Sequence, residues 1–451
     1  MENPKFSLVV WTRDTNEVFF RDFMESVVAQ IYENWELYVI DEGQGDYIRR
    51  ITAEFFPEDD RVHYRQLKTS KGKAYAYNIG FHFVLTDAAR RGEKEGYLVV
   101  ADQHDRLNPN TFLAMAGKAE NMPDLIYTDH DELVGTERMH PHFKPEYNKE
   151  LLLHRNYIGE FVAISYLAAR QVGEFQEKLK EAVVYDYLLR LGDQKREVVR
   201  VPSLLYHRRM VARSNYKKAS KHKEEVLTEQ MLVAAAALRR RGVDATVEKA
   251  ADDTYWKVLY DGKDVLSHEN EYLILRNPKV RPLTRKNLER MYGLLRQKDV
   301  AVVGARFIKQ GFAIDNCGYI FDETGIAYPA FYGQKIYRAT YEQLASIPRD
   351  VSMVDSGYCM IDAKVYRKIG GFDPKLSGRD VMLDFCLRAK QHGFRTVVEP
   401  AVIARDLARE NESSQASNAL LMERWGEVIA TGDPYYNPNL PVGLGNYLDI
   451  S

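Results

Sequence analysis

The chain has 451 residues, which suggests two or three domains, and its 45% hydrophobic and 28% charged residues are typical of a globular protein. A formal net charge of -2 argues against nucleic acid as the main partner, because binding to phosphates requires a basic surface. The apolar runs are short and the three cysteines lie far apart, so we expect no transmembrane helix, at most peripheral membrane association, and no zinc site or disulfide framework. With no signal-peptide pattern, we expect a cytoplasmic protein.

In the first half of the chain, predicted strands and helices alternate at short spacing. Apolar runs predict strands at 6–10, 35–40, 62–65 and 97–101, and helical periodicity predicts helices at 16–30, 48–56 and 73–89. This alternation favours a parallel α/β sheet of Rossmann type.

Acidic residues directly follow two of these predicted strands. Asp41 and Glu42 begin a glycine-rich turn after the second strand, and Asp102, His104 and Asp105 follow the fourth. The carboxyl ends of parallel strands are where α/β proteins bind ligands, and two carboxylates could hold a divalent cation and, through it, a diphosphate. The alternative is a strand end followed by a solvated acidic turn, which the spacing alone does not exclude.

The second half of the chain contains an echo of the first. Residues 172–175 are followed by Asp186–Arg190, and the similar residues 369–372 are followed by Asp384–Arg388. A repeat about 197 residues apart predicts a duplicated fold. Between the copies, a long helix predicted at 223–241 is expected to bridge two domains.

With these motifs in this order, the sequence resembles the bacterial family 2 glycosyltransferases of the GT-A fold, specifically enzymes that carry two such domains in tandem. The resemblance covers the whole first domain and includes the closing segment of the tandem type. Its signatures are Glu25–Gln30 with Asn34–Leu37, Val39–Gly43, Lys71–Gly72 with Asn78–Gly80, Asp124–Asp129, Phe143–Pro145, Asn156–Gly159, Leu205–Arg208 and Asp433–Leu440.

The resemblance implies an α/β chain with a GT-A domain at 1–213, which is a Rossmann-like nucleotide-diphospho-sugar transferase fold. A helical bridge at 214–268 and a truncated GT-A-like domain at 269–451, lacking the nucleotide-binding half, are expected to follow. The implied activity is inverting transfer from a UDP- or dTDP-sugar to a glycan acceptor during bacterial surface polysaccharide assembly, in the cytoplasm or at the inner face of the membrane. The expected nucleotide-binding residues are Thr12, Asp14, Asp41, Glu42, Gly72, Asn78 and Asp102. The expected ligands of Mn²⁺ or Mg²⁺ are Asp102, His104, Asp105 and His207.

Several chemical positions depart from the family's pattern. The second Asp of the family's DxD motif is His104, and the position of the catalytic base is Val184, which cannot accept a proton. In the second domain the metal position is Lys279 and the base position is Met382, and only residues 261–268 stand where two βα units are expected. The acids that could substitute for the first base are Asp129, Asp131, Glu181 and Asp186, the last of which could equally be a structural helix residue.

Two hypotheses therefore stay open. In the first, the chain is an active sugar transferase. In the second, it is a catalytically inactive pseudo-glycosyltransferase that binds a nucleotide, a glycan or an active partner glycosyltransferase without turnover.

Overall fold

A computed structural model describes residues 3–194, 196–210, 216–406 and 413–447. The chain divides into two compact units, the first made of residues 1–147 and 156–237 and the second of residues 148–155 and 238–450. The domain boundaries expected at 213 and 268 stay predictions.

The strands and helices are numbered in chain order. In the first half, the strands are β1 (Phe6–Thr12), β2 (Trp35–Asp41), β3 (Val62–Gln66), β4 (Tyr97–Asp102), β5 (Arg106–Leu107), β6 (Leu125–Val134), β7 (Glu137–His142), β8 (Val162–Ser165) and β9 (Val198–Arg209). The helices are α1 (Glu17–Val28), α2 (Tyr47–Phe55), α3 (Lys73–Arg90), α4 (Thr111–Ala116), α5 (Lys149–His154), α6 (Tyr166–Val172), α7 (Val183–Gly192) and α8 (Tyr216–Arg240).

In the second half, the strands are β10 (Ala245–Lys249), β11 (Trp256–Tyr260), β12 (Tyr272–Arg276), β13 (Val280–Pro282), β14 (Val300–Ile308), β15 (Ile314–Asn316), β16 (Tyr319–Phe321), β17 (Ala327–Pro329), β18 (Arg349–Asp350), β19 (Tyr358–Asp362) and β20 (Arg395–Asp406). The helices are α9 (Asn287–Leu295), α10 (Ala363–Lys368), α11 (Asp380–Gln391) and α12 (Gln415–Ile429).

The first unit is built on one mixed sheet. Its strands lie in the order β3-β2-β1-β4-β8-β6-β9-β5, with β7 beside β6. The four strands from β3 to β4 are parallel to one another, as the alternating pattern of the sequence predicts. Because helices cover such strands on both faces, β1, β2 and β4 are almost entirely buried and consist mainly of apolar residues.

The second unit repeats one half of this sheet. Its main sheet has the order β12-β19-β14-β20-β13, with β15 beside β14 and β18 beside β20. This order and its strand directions match β4-β8-β6-β9-β5, strand for strand. Among the described residues of this second sheet, no strand corresponds to β1, β2 or β3.

The same side-chain clamp occurs in both units. Arg190 Nε donates to Asp186 at 2.8 Å within α7, and Arg388 Nε donates to Asp384 at 2.8 Å within α11. In each unit the other two guanidinium nitrogens donate to backbone carbonyls that precede the helix. The accepting carbonyls are those of Val172 and Glu174 in the first unit and of Ile369 and Gly371 in the second. The duplication that the sequence repeat predicts therefore extends to individual hydrogen bonds.

In the described part of the chain, no helix is both long enough and apolar enough to cross a membrane.

Candidate functional site

Three strands of the first unit end in register at one edge of the sheet. Thr12, the last residue of β1, is the pairing partner of Asp41, the last residue of β2. On the other side of β1, Trp11 pairs with Asp102, the last residue of β4. The polar groups expected from the sequence therefore lie along the carboxyl edge of the parallel strands, where α/β folds bind ligands.

Asp41 is held rigidly at this edge. Its Oδ1 accepts hydrogen bonds from Thr12 Oγ1 at 2.9 Å and from the Gly43 amide at 2.8 Å, and its Oδ2 accepts one from Tyr64 at 2.7 Å. A Cβ at position 43 would lie 2.9 Å from Asp41 Oδ1, so the turn requires glycine there. Because a carboxylate oxygen can accept two hydrogen bonds, Oδ2 keeps one acceptor position.

Glu42 is turned towards the loop that precedes α3. Its carboxylate accepts hydrogen bonds from Trp11 Nε1, Ser70 Oγ and the amides of Lys71 and Gly72, at 2.8–3.1 Å. Gly72 has a φ of 99°, a conformation that favours glycine, and α3 begins immediately after it. A carboxylate at a helix N-terminus is stabilising, so Glu42 fixes the position of this loop.

Asp102 and His104, at the end of β4, are hydrogen-bonded to each other. Asp102 Oδ1 accepts hydrogen bonds from the His104 backbone amide and from His104 Nδ1, both at 2.9 Å. The buried ammonium of Lys73 lies near this pair and forms an ion pair with Glu160. Burial would raise the pKa of Asp102, but the hydrogen bond from His104 and the charge of Lys73 outweigh it and lower that pKa to about 2.

Asp105 faces a different set of groups. Its carboxylate accepts hydrogen bonds from the Tyr206 hydroxyl and from the Arg209 amide, and the Tyr206 oxygen accepts one from the Asp102 amide at 3.1 Å. Burial and the neighbouring charge of Asp102 raise the pKa of Asp105 to about 7. The two carboxylates of this turn are therefore close enough to influence each other but point at different partners.

His207 is paired with another acid. Its Nδ1 lies 2.7 Å from Asp131 Oδ1, and Arg138 donates to Asp131 Oδ2 at 2.7 Å. The four residues expected to bind Mn²⁺ or Mg²⁺ are thus divided among separate hydrogen-bonded groups. Among the residues that the structure describes, no three His, Cys, Asp or Glu side chains are arranged to hold a metal ion. As placed, this donor set does not fit a divalent ion, and its assignment stays a prediction.

Two of the expected nucleotide-binding residues have other contacts. The Asn78 amide bridges the backbone of Phe175, donating to its carbonyl at 3.0 Å and accepting from its N–H at 2.8 Å. Asp14 is exposed, has a φ of 48°, and contacts Arg13. The structure therefore brings Thr12, Asp41 and Asp102 together, whereas Asn78 holds the segment that leads to α7.

The position of the family's base lies in the core. Val184 is fully buried near the start of α7. The acids considered as substitutes are engaged elsewhere: Asp186 with Arg190, Asp131 with His207 and Arg138, and Asp129 with the Lys144 amide. Glu181 lies 3.7 Å from His222.

The sequence did not indicate Lys73, Glu160, Tyr206 or Arg209 as parts of this edge. Lys73 follows Gly72 at the start of α3, and Tyr206 adjoins His207 in a family signature, but neither pattern shows which strand end the side chain will meet. Those contacts join residues about 100 positions apart, as between Tyr206 and Asp105.

The second unit has a counterpart of the turn at Asp102–Asp105 that lacks its two carboxylates. The Lys279 amide donates to Asn277 Oδ1 at 2.9 Å, and the Val280 amide donates to the Asn277 carbonyl at 2.9 Å. These bonds repeat those of the His104 and Asp105 amides with Asp102. The turn is the same, but an amide replaces the carboxylate of Asp102, and valine replaces Asp105.

Comparisons with known proteins agree with this architecture. Residues 7–176 match the model of glycosyl transferase family 2. This segment is therefore similar to a family 2 glycosyltransferase domain, and most of it lies in the mixed α/β sheet of the first unit.

Two curated relatives match nearly the whole chain. One is y4gI, an uncharacterised protein of Sinorhizobium fredii (strain NBRC 101917 / NGR234), which is 24% identical over 99% of this chain and 58% of its own length. The other is the O-antigen biosynthesis protein RfbC of Myxococcus xanthus, which is 24% identical over 97% of this chain and 40% of its own length. The chain therefore spans only about half the length of these relatives.

Solved structures give weaker likenesses. S. aureus TarS 1–349 in complex with UDP-GlcNAc has a TM-score of 0.39 and 17% identity, covering 52% of this chain and 72% of that one. The mannosyltransferase PcManGT from Pyrobaculum calidifontis, in complex with GDP-Man and Mn²⁺, has a TM-score of 0.39 and 12% identity, covering 53% and 76%.

Proposed function

We propose that the first unit binds the nucleotide of a UDP- or dTDP-sugar at the edge formed by Thr12, Asp41 and Asp102. The observation that carries this proposal is the register of β1, β2 and β4, which aligns these three residues at the carboxyl ends of parallel strands. Asp41 Oδ2 has one acceptor position left, which suits the N3–H donor of a pyrimidine base. Uracil and thymine both carry that donor, so both nucleotides fit.

Positive charge for the diphosphate is available from the chain itself. Lys73 is buried beside Asp102, and although burial alone would lower its pKa, the charges of Glu160 and Asp102 raise it. It is therefore a permanent cation close to this edge. Since the donor set does not fit a metal ion, the proposal contains no step that depends on Mn²⁺ or Mg²⁺.

Calorimetric titration with UDP and dTDP, with and without Mn²⁺, tests the proposal. We expect binding by the native chain and at least a tenfold loss with Asp41→Ala. Tyr64→Phe should keep affinity within about threefold, because it removes a donor to Asp41 but leaves its carboxylate. Asn277→Ala, at the second unit's counterpart of Asp102, is the control and should have no effect. Absence of binding to either nucleotide would refute the proposal.

A specific observation favours binding without turnover as the second candidate function. Val184 is buried in the core, and the carboxylates of Asp131 and Asp186 are engaged by His207 and Arg190. None of these groups is free to take a proton from an acceptor hydroxyl. Release of UDP from a panel of UDP-sugars in the presence of glycan acceptors is the test. Acceptor-dependent turnover by the native chain would exclude the inactive form.

The process that we propose is bacterial surface polysaccharide assembly at the cytoplasmic face of the membrane. The name of the relative from Myxococcus xanthus, an O-antigen biosynthesis protein, supports this assignment. In the inactive form, the partner would be an active glycosyltransferase. We expect that deleting the protein from its host removes a surface glycan. The native chain should restore that glycan, and the Asp41→Ala variant should not.

A further inference from the structure

Strand β12 lies at an open edge of the second unit's sheet. On one side it pairs with β19 over Tyr272–Arg276, without a bulge. On the other side, among the described residues, no strand pairs with it. The corresponding strand of the first unit, β4, is flanked on both sides, by β1 and by β8.

The backbone groups at this open edge can be identified from the hydrogen bonds with β19. The Ala363 amide donates to the Glu271 carbonyl, and the Asn277 amide donates to the Gly357 carbonyl, both at 2.9 Å. In an antiparallel pair, alternate residues point their N–H and C=O groups at the partner strand. Residues 271, 273, 275 and 277 therefore face β19, and residues 272, 274 and 276 direct their N–H and C=O groups outward. In β4 the corresponding backbone groups, on the side away from β8, are hydrogen-bonded. The Tyr97 amide, for example, donates to the Lys5 carbonyl at 2.8 Å.

Three of the five side chains of β12, those of Leu273, Ile274 and Arg276, are exposed. Leu273 and Ile274 are 37% and 40% exposed, whereas Leu98 and Val99 in β4 are fully buried. Natural sheets usually protect an edge with charges, proline or a bulge within the strand. Here the only charge in the strand is Arg276, at its end. An apolar strand with free hydrogen-bonding groups is therefore a template for a further strand.

We propose that β12 docks a second copy of this chain, with two β12 strands pairing antiparallel about a twofold axis at Ile274. This register places residue 272 of one copy opposite 276 of the other and 274 opposite 274. All three outward-facing residues then pair, giving about six backbone hydrogen bonds. A twofold interface of this kind is self-complementary, and it removes the exposed edge of both copies.

The charges that flank β12 select this occupant and this direction. The acids Glu269 and Glu271 precede the strand, and the bases Arg276 and Lys279 end or follow it, all of them exposed. In the antiparallel register, Glu269 of one copy lies opposite Lys279 of the other, twice in the dimer. A parallel pair would place acid beside acid and base beside base, which is destabilising.

Sedimentation velocity over a range of concentrations tests the proposal on the full chain. We expect a dimer, weakened at least tenfold by Ile274→Pro, which removes an outward N–H group. Ile326→Lys, at a residue of the same unit that is 50% exposed, is the matched control and should leave the dimer unchanged.

Charge-reversal variants test the same dimer with substitutions that do not disturb folding. Lys279→Glu should weaken the dimer about threefold to tenfold, and adding Glu269→Lys to the same chain should restore it. Both residues are exposed, so neither substitution alters the core. A dimer whose affinity is unchanged by all of these substitutions would overturn the proposal.

A cysteine at the axis reports the pairing directly. In a hydrogen-bonded antiparallel pair the Cα atoms lie about 5.5 Å apart, within the range of a disulfide. Ile274→Cys should therefore cross-link two chains on mild oxidation, and Ile326→Cys should not. The native cysteines Cys317, Cys359 and Cys386 are buried and do not interfere. A chain that stays monomeric, or that pairs β12 only with a foreign strand, would overturn the proposal.

Discussion

Asp102, the last residue of β4, and Asn277, the residue after β12, occupy corresponding positions in the two units, and each accepts the same two hydrogen bonds from the backbone amides that follow it. Of the two residues, only Asp102 shares its sheet edge with polar ends of further described strands, Thr12 of β1 and Asp41 of β2. The turn geometry is therefore a property of the local chain, whereas the candidate binding edge depends on the neighbouring strands. A turn can keep its shape after the site around it has been lost.

The largest expected effect concerns the position of the family's base in the two units. Val184→Asp would bury a carboxylate in the core of α7, and Met382→Asp would do the same in α11, since both side chains are buried. We expect each to lower the free energy of unfolding by about 3–5 kcal/mol, because burying an unpaired charge is among the most destabilising changes. Urea denaturation measures this loss. A Val184→Asp variant that keeps native stability and gains glycosyltransferase turnover would contradict this expectation, because it would show that position 184 faces the acceptor.

The duplicated clamp gives the next effect. Arg190→Met and Arg388→Met each leave a buried aspartate without its main cation, Asp186 or Asp384. We expect a loss of about 3 kcal/mol of unfolding free energy in each case, since breaking a buried ion pair strands the remaining charge. Substituting the exposed Arg50 in the same way is the control and should change stability by less than about 0.5 kcal/mol. A loss in only one unit would break the equivalence of the two clamps.

A pH effect should distinguish the second unit. Burial raises the pKa of Asp433 to about 6, although Ser352 and the amides of Phe321 and Tyr435 donate to its carboxylate. A carboxyl whose pKa is higher in the folded than in the unfolded state binds more protons when folded, so stability rises as the pH falls below that value. From pH 8 to pH 5, the native chain should gain about 1 kcal/mol relative to Asp433→Asn. Thermal unfolding at both pH values measures this, and an opposite sign would contradict the assignment.

The smallest effect is expected for a substitution in the turn of the second unit. Asn277→Asp restores an acid to the turn of the second unit but not the missing strands. We expect nucleotide affinity to change by less than about twofold and stability by less than about 0.5 kcal/mol, because the side chain is exposed. A new nucleotide-binding event in calorimetry would show that the turn alone is sufficient.

Much of the fold could be predicted from the sequence. Continuous apolar runs marked β1, β2 and β4, since strands buried on both faces carry little else, and the repeat at 186–190 and 384–388 reflected a clamp of identical geometry. The acidic strand ends could be placed at one edge because parallel strands end on the same side. Asp41 and Asp102 were found in this way.

The details of the site could not be predicted, because they depend on long-range contacts. Asn78 matches a family signature next to the expected nucleotide, yet its amide holds Phe175. His104 and Asp105 are adjacent in sequence, but one folds back on Asp102 and the other faces Tyr206 and Arg209. Side-chain direction after a strand end is decided by strands distant in the chain, and spacing alone does not encode it.

Hydrogen–deuterium exchange with saturating UDP tests the central claim, that nucleotide binding belongs to the first unit's strand ends and not to their counterpart. We expect slower exchange at residues 41–45 and 100–106 and no change at residues 275–281. Protection at 275–281, or the absence of protection at both edges under conditions where UDP binds, would contradict it.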